Sequence, residues 1–258
     1  MLSVLEIARV QLLENIRRQV HLITLFMAAA MLMLPAYVNA FSMGLSAFQV
    51  VTKDFGLTAI SYYGIAMALL LGSSVVPRDI ERKTIYPILS RPLGRVTYLA
   101  GQFLGTAALV GGSVFLLTLC MGLGVASLSR EFDTSLFAAA WGYSLESSLV
   151  VAICMCFSVF ASPPLAGVLG FFVYIIGGMS NAFIQFFLRE DRGADWVANA
   201  VEGAQRFVPN FSIFRLKYPV VHSLPIEPHY HLAESIYAAI WILLFLLAAG
   251  IRFETKDL

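Results

Sequence analysis

Charge is what this sequence has least of. Only 13% of its 258 residues are Asp, Glu, Lys or Arg, 59% are hydrophobic, and the mean hydropathy is +0.80. Soluble domains carry roughly a quarter charged residues, so a soluble globular fold is excluded and an integral membrane protein is expected. The net charge of +1 is uninformative as a sum, because the charges are segregated by loop. Cysteine is scarce too. Cys120, Cys154 and Cys156 all fall within apolar runs, which excludes a disulfide framework and makes them small buried hydrophobes. No cleavable signal peptide is expected either: the first apolar run follows a charged segment and is long enough to be retained as a span. Finally, the sequence contains no GxxxxGK[ST] phosphate-binding loop, so no ATP site is expected in this chain.

What remains is a series of long apolar runs. Residues 20–41, 55–76, 98–127, 136–161, 165–187 and 232–251 each match the length of a membrane-crossing helix. The expected fold is an all-α membrane protein with six spans and a single transmembrane domain over residues 1–258. Residues 1–19 alternate Leu2, Leu5, Leu12, Leu13 and Ile16 with Glu6, Arg9, Glu14, Arg17 and Arg18, the pattern of a helix lying in the membrane interface. Pro35 is expected to kink the first span. The third span carries Gly101, Gly105, Gly111, Gly112, Gly122 and Gly124, and small residues at such spacing let helix backbones approach closely.

The most informative stretch lies between the second and third spans, at residues 77–97. Arg78, Arg82, Lys83, Arg91 and Arg95 make it a short basic loop, which is retained on the cytoplasmic side. Over short loops and tails, Arg9, Arg17, Arg18, Arg252 and Lys256 fall on that same side, with only Lys53 and Arg130 opposite. Both termini are therefore expected inside. Within the loop, Ile80, Ile85, Ile88 and Leu89 recur at helical spacing among charges, and Pro92 ends the pattern.

Glu81-Arg82, Thr84, Leu89-Ser90-Arg91-Pro92, Arg95, Gly101 and Phe103 to Gly105 resemble the cytoplasmic loop of ABC-2 type transporter permeases. Lys83 and Gln102 depart from the family pattern, which often has Gly and Lys there. The stretch PNFSIFRLK at residues 209–217 and the tail RFETKDL are weaker matches. The resemblance implies that residues 1–19 form an elbow helix and that the loop carries a coupling helix. Asp79, Glu81, Arg82 and Lys83 would be its polar contacts, and Ile85, Tyr86, Ile88 and Leu89 its apolar contacts, with a partner ATPase. It further implies two copies of that ATPase holding ATP and Mg, and a second permease subunit, identical or paralogous. A periplasmic accessory protein fits the same scheme; nucleic acid does not. The membrane would be the cytoplasmic membrane of a bacterium or archaeon, and the direction of transport usually export.

Two further features invite chemistry. Glu146 lies near the middle of the fourth span, where a carboxylate is costly and rarely faces lipid. Ser144, Ser147 and Ser148 offer it hydrogen bonds, so a structural carboxyl and a place on the transport path both remain open. The outer segment, residues 188–231, is expected to hold an interfacial helix over residues 196–208, then an irregular or re-entrant stretch to residue 225. Its His222, His229 and His231 with Glu227 have the residue types of a metal chelate, but they read as interfacial histidines before the last span, and no metal is expected. Two other function classes stand against the permease. An ion-coupled carrier would show inverted repeats and several midplane acids; an intramembrane enzyme would need a nucleophile and base, or a metal set, within the spans. Scarce polar groups in the spans point to a lipidic or amphipathic cargo.

Overall fold

The structure, a computed structural model, describes residues 4–17, 20–41, 45–81, 95–130, 133–189, 203 and 208–254. Among these the chain is all-helical, without strands. Its elements are α1 (Val4–Arg17), α2 (Val20–Phe41), α3 (Leu45–Glu81), α4 (Arg95–Ser129), α5 (Ser135–Ser158), α6 (Pro163–Arg189), a 3-10 turn (Phe211–Phe214), α7 (Lys217–Val221) and α8 (Pro228–Glu254). Five stretches are long and apolar enough to cross a membrane: Leu22–Phe41, Phe48–Arg78, Val96–Ser129, Ser135–Ser158 and His229–Phe253. These fit a multi-pass membrane protein. A shorter apolar helix, Pro163–Gly178, opens α6.

Helix α5 is the axis of the bundle. It is apolar on every side and packs against α3, α4, α6 and α8, so most of its length is buried. The peripheral helices α2 and α8 instead keep one face outside. On α8, Ile236, Ile240, Leu243, Leu244, Leu247 and Ile251 form an exposed stripe with a period of three to four residues. A stripe of that size on a chain this apolar faces lipid, where leaving it uncovered costs nothing.

Helix α1 lies along the start of α4. Ile7, Gln11 and Asn15, four apart, are its buried face, whereas Leu5, Val10, Leu13 and Ile16 point outward. Gly101 and Gly105 make the approach possible: a Cβ at Gly101 would sit 2.7 Å from Ile7, and one at Gly105 2.5 Å from the Ala8 carbonyl oxygen. Gly124, farther along α4, makes room in the same way for Pro35 of α2, which continues as one helix through the proline. The last turn of α8 returns to this region, with Phe253 stacked on Tyr98 at 6.3 Å. Thus α1, the start of α4 and the end of α8 share one end of the bundle.

Several expected boundaries need correction. The outer loop expected up to Asp54 is helical from Leu45, and α3 runs on through Pro77 to Glu81. Its 37 residues span about 55 Å, longer than a bilayer core of about 30 Å. The helix continues because its charges find partners. Lys53, only 4% exposed, donates to Asp133 at 2.5 Å, and Asp54 pairs with Lys217 at 2.8 Å. The stretch expected to be irregular before residue 225 contains the 3-10 turn and α7, with Phe211, Phe214 and Val220 fully buried. The interfacial helix expected at residues 196–208 lies almost wholly outside the described residues.

Asp133 ties α3 to α5, since its second oxygen accepts from the Ser135 backbone N–H at 2.9 Å, at the start of α5. Burial pushes its carboxyl upward, but the hydrogen bonds from Lys53 and Ser135 and the Lys53 charge outweigh that and hold it below the ordinary 3.8. A depressed carboxyl contributes stability above its unfolded pKa and loses it as pH falls through the folded one. Asp133→Asn is expected to cost about 1–2 kcal/mol near neutral pH, discounted for the partial exposure of the pair. Thermal melts should show a deficit that is constant from pH 7 to 5 and closes below about pH 4; a deficit independent of pH would exclude the charge as its cause.

Candidate functional site

Glu146, on α5, is 1% exposed. The serines expected to satisfy it do not. Ser144 donates to the Trp141 carbonyl at 2.7 Å, and Ser147 and Ser148 to the Ser144 carbonyl at 3.1 and 2.6 Å. Residues one or two apart on a helix point to different sides, and a serine in an apolar helix bonds back to its own preceding turn. The carboxylate meets Arg215 instead, whose Nε is 3.6 Å from Oε1. That is ion-pair range rather than a hydrogen bond, and among the described residues neither oxygen has a hydrogen-bond partner. The hydroxyls of Tyr174 and Ser61 are its other polar neighbours.

The arginine reaches this position because the segment carrying it is pinned on three sides. Asn210 caps the 3-10 turn by accepting from the Ser212 N–H at 3.0 Å, and its own N–H donates to the Tyr237 hydroxyl on α8 at 2.7 Å. Phe211 and Phe214, three apart, are both fully buried; Phe211 meets the Tyr174 ring of α6 edge-on at 5.1 Å. Tyr230 donates to the Ile213 carbonyl at 2.6 Å. Paired glycines on α6 allow the seat: a Cβ at Gly177 would sit 2.2 Å from the Pro209 carbonyl oxygen, and one at Gly178 2.8 Å from Arg215 Nη2. With the turn so held, Arg215 Nη2 donates to the Tyr174 hydroxyl at 3.0 Å, and its guanidinium lies 5.8 Å from that ring's centre. Two residues on, Lys217 Nζ donates to Thr58 at 2.7 Å and pairs with Asp54 at 2.8 Å, both on α3.

These groups surround a cleft of about 180 Å³ in the half of the bundle away from α1. Its wall has two cations, Arg215 and Lys217, and five hydroxyls, from Thr58, Ser61, Tyr62, Tyr143 and Tyr174. Glu146 stands behind this wall as the buried counter-charge of Arg215. The arrangement can hold a polar or charged group against tyrosine faces, and it joins α3, α5, α6 and the 209–217 segment in one polar contact.

Of the residues that the sequence singles out, Glu146 is placed at this site. Asp79 and Glu81 belong to the last turns of α3, at the far end of the bundle. Arg82, Lys83, Ile85, Tyr86, Ile88 and Leu89 lie outside the described residues. Of the histidines, His222 packs its ring on Tyr218 at 4.6 Å, and His231 Nδ1 is 3.1 Å from Glu234 Oε1. Among the described residues no three His, Cys, Asp or Glu side chains converge as a metal set. Sequence reasoning missed Arg215, Lys217, Tyr143 and Tyr174. The signal for the first two was the RLK ending of the PNFSIFRLK stretch; for the tyrosines there was none, since a tyrosine in an apolar span reads as core. No protein-family model matches the chain, and no curated protein sequence matches it.

Removing Arg215 leaves a buried carboxylate without its cation. Arg215→Ala is expected to cost about 2–4 kcal/mol, less than for a fully buried pair because the arginine is 43% exposed. Glu146→Gln combined with Arg215→Ala should recover at least half of that loss. Thermal unfolding in detergent of both single variants and the double variant measures the coupling; strictly additive effects would show that the two side chains do not interact.

Proposed function

We propose that the chain is the permease subunit of an ABC-2 type transporter, most simply an exporter, with ATP and Mg held by a separate ATPase present in two copies. The observation that carries this reading is the charged stretch from Glu81 to Gly105, with its acidic-basic pair, Pro92 and paired glycines at the family's offsets. Its surroundings support it. Residues 82–94 join α3 to α4, which pack together, and Gly101 and Gly105 receive α1, as an elbow helix would require. In this reading α6 also crosses, as the fifth of six spans, both termini and residues 82–94 face the cytoplasm, and the Arg215 cleft opens on the outer side. The membrane is the cytoplasmic membrane of a bacterium or archaeon.

The mechanism then follows from mechanics. ATP binding closes the two ATPases, the stretch from Asp79 to Leu89 moves with them, and α3 carries the displacement along its length. The outer wall of the cleft is built on that same helix, at Thr58, Ser61 and Tyr62. Closure at one end therefore alters the polar contact around Glu146 at the other, which is alternating access between two permease subunits. An ion-coupled carrier centred on Glu146 is the second reading, favoured only by the burial of that acid.

Co-purification with the ATPase encoded beside this chain, followed by ATP hydrolysis in lipid, tests the first reading. A stable complex is expected. Glu81→Arg should leave membrane insertion intact but reduce transport-coupled hydrolysis several-fold, because it reverses a charge at the proposed docking surface. No complex and no response to ATP would reject the permease reading in favour of the carrier.

A further inference from the structure

The cleft beside Glu146 has a chemical bias that its role as a gate does not require. Every described side chain lining it is a hydrogen-bond donor, and none is an acid. Neither balancing carboxylate lines it: Glu146 is buried behind the wall against Arg215, and Asp54, one turn before Thr58 on α3, is paired with Lys217. Arg215 spends Nε on Glu146 and Nη2 on Tyr174, which leaves Nη1 turned to neither. The Thr58 hydroxyl is donated to the Asp54 carbonyl at 2.6 Å, but donors from two cations and the other four hydroxyls suit a ligand that only accepts, and several acceptors on one atom suit it best.

Arg215 also forms part of a second cleft, of about 310 Å³, on its other side. Its wall mixes the aliphatic Leu216, Pro219, Pro225 and Ile226 with Glu227 and Tyr230. The first cleft is smaller than the roughly 300–1,000 Å³ usual for a whole small-molecule site, so it has the size of a head group rather than of a complete ligand. The two clefts share one arginine, with hydroxyls along the first and the aliphatic side chains of Leu216 and Ile226 along part of the second.

We propose that this pair of clefts binds a phosphate-type oxyanion, with the phosphate against Arg215, Lys217 and the tyrosine hydroxyls, and the apolar part of its carrier along Leu216 and Ile226. This deepens the permease reading by naming a cargo class, but binding itself needs no ATPase. The phosphate belongs either to a lipid head group or to a soluble phosphorylated molecule. The second cleft favours the lipid.

The test uses the purified full chain in detergent, without any ATPase, titrated calorimetrically with dihexanoyl phosphatidate, dihexanoylglycerol and inorganic phosphate. Saturable binding of the phosphatidate is expected, with dihexanoylglycerol at least about tenfold weaker because it lacks the charge-assisted bonds. Arg215→Gln should weaken phosphatidate binding by about tenfold or more, and Lys217→Gln and Tyr62→Phe by about threefold each. Should Arg215→Gln fail to fold, the latter two, neither of which pairs with the buried Glu146, carry the test. Inorganic phosphate binding as tightly as the phosphatidate would keep the oxyanion site and assign it to a soluble source. Equal binding of dihexanoylglycerol, or phosphatidate binding unchanged in the folded variants, would overturn the proposal. Because no ATPase is present, a negative result here leaves the coupling experiment unaffected, and the reverse also holds.

Discussion

A carboxylate inside an apolar helix bundle needs a cation, and the contact between Glu146 and Arg215 meets that need from outside the bundle. The cost of burying an isolated carboxylate runs to several kcal/mol, so the segment around the 3-10 turn is not free to settle elsewhere. Its aromatic anchors, its asparagine cap and the tyrosines of α8 all act to place one guanidinium over one oxygen. The 3.6 Å separation shows that the pair is loose. A loose pair costs more to keep than a tight one, yet it separates at lower cost, which would suit the opening that the permease reading requires.

The other polar groups buried in the bundle are treated differently. Thr106, Ser113 and Thr118 on α4 donate to carbonyls of their own helix at 2.9, 2.7 and 2.9 Å, and so ask nothing of their neighbours. Such hydroxyls are quiet in lipid. The acids cannot do this, because a carboxylate only accepts. Glu234 on α8 repeats the problem of Glu146: His231 meets one oxygen, and the other has no hydrogen-bond partner among the described residues. Both acids border the short turn at Phe211–Phe214, Glu146 through Arg215 and Glu234 beside the Phe214 carbonyl that closes on Gly142. The turn is thus held between two incompletely satisfied charges.

The spans could be read from the sequence because hydrocarbon imposes a length and a composition, and Glu146 stood out against that background. Its partner could not be read. Arg215 lies in an irregular segment far along the chain, and nothing in local periodicity says which helix such a segment will cover. The serines misled for a related reason: closeness in sequence suggested hydrogen bonds that helix geometry forbids. The start of α3 was misjudged because Lys53 and Asp54 were assigned to water. Each in fact pairs with a distant charge, Asp133 in the turn before α5 and Lys217 at the start of α7, so two charged residues mark a helix interior where a turn was expected. Charge near a span end thus signals either solvent or a distant partner, and only the three-dimensional arrangement distinguishes them.

Helix α3 is the element that relates the two ends of the molecule. It packs most extensively on the buried axis α5, lines the cleft with Thr58, Ser61 and Tyr62, and ends at Glu81 beside the charged stretch. From Ser61 to Glu81 is about 30 Å of helix at 1.5 Å per residue, close to the thickness of the hydrocarbon core. Pro77 interrupts it only one turn from the end. It removes one backbone hydrogen bond there, while Ser73 and Ser74 turn their hydroxyls back on the Leu70 and Leu71 carbonyls. The last turn is therefore the soft point and the remainder a stiff lever, held against α5 by side chains that leave it little room to bend. On the permease reading, small movements of the charged stretch would be absorbed at Pro77, and only a displacement large enough to tilt the whole helix would reach the cleft. That threshold would let the ATPases move with thermal noise without disturbing the contact between Glu146 and Arg215.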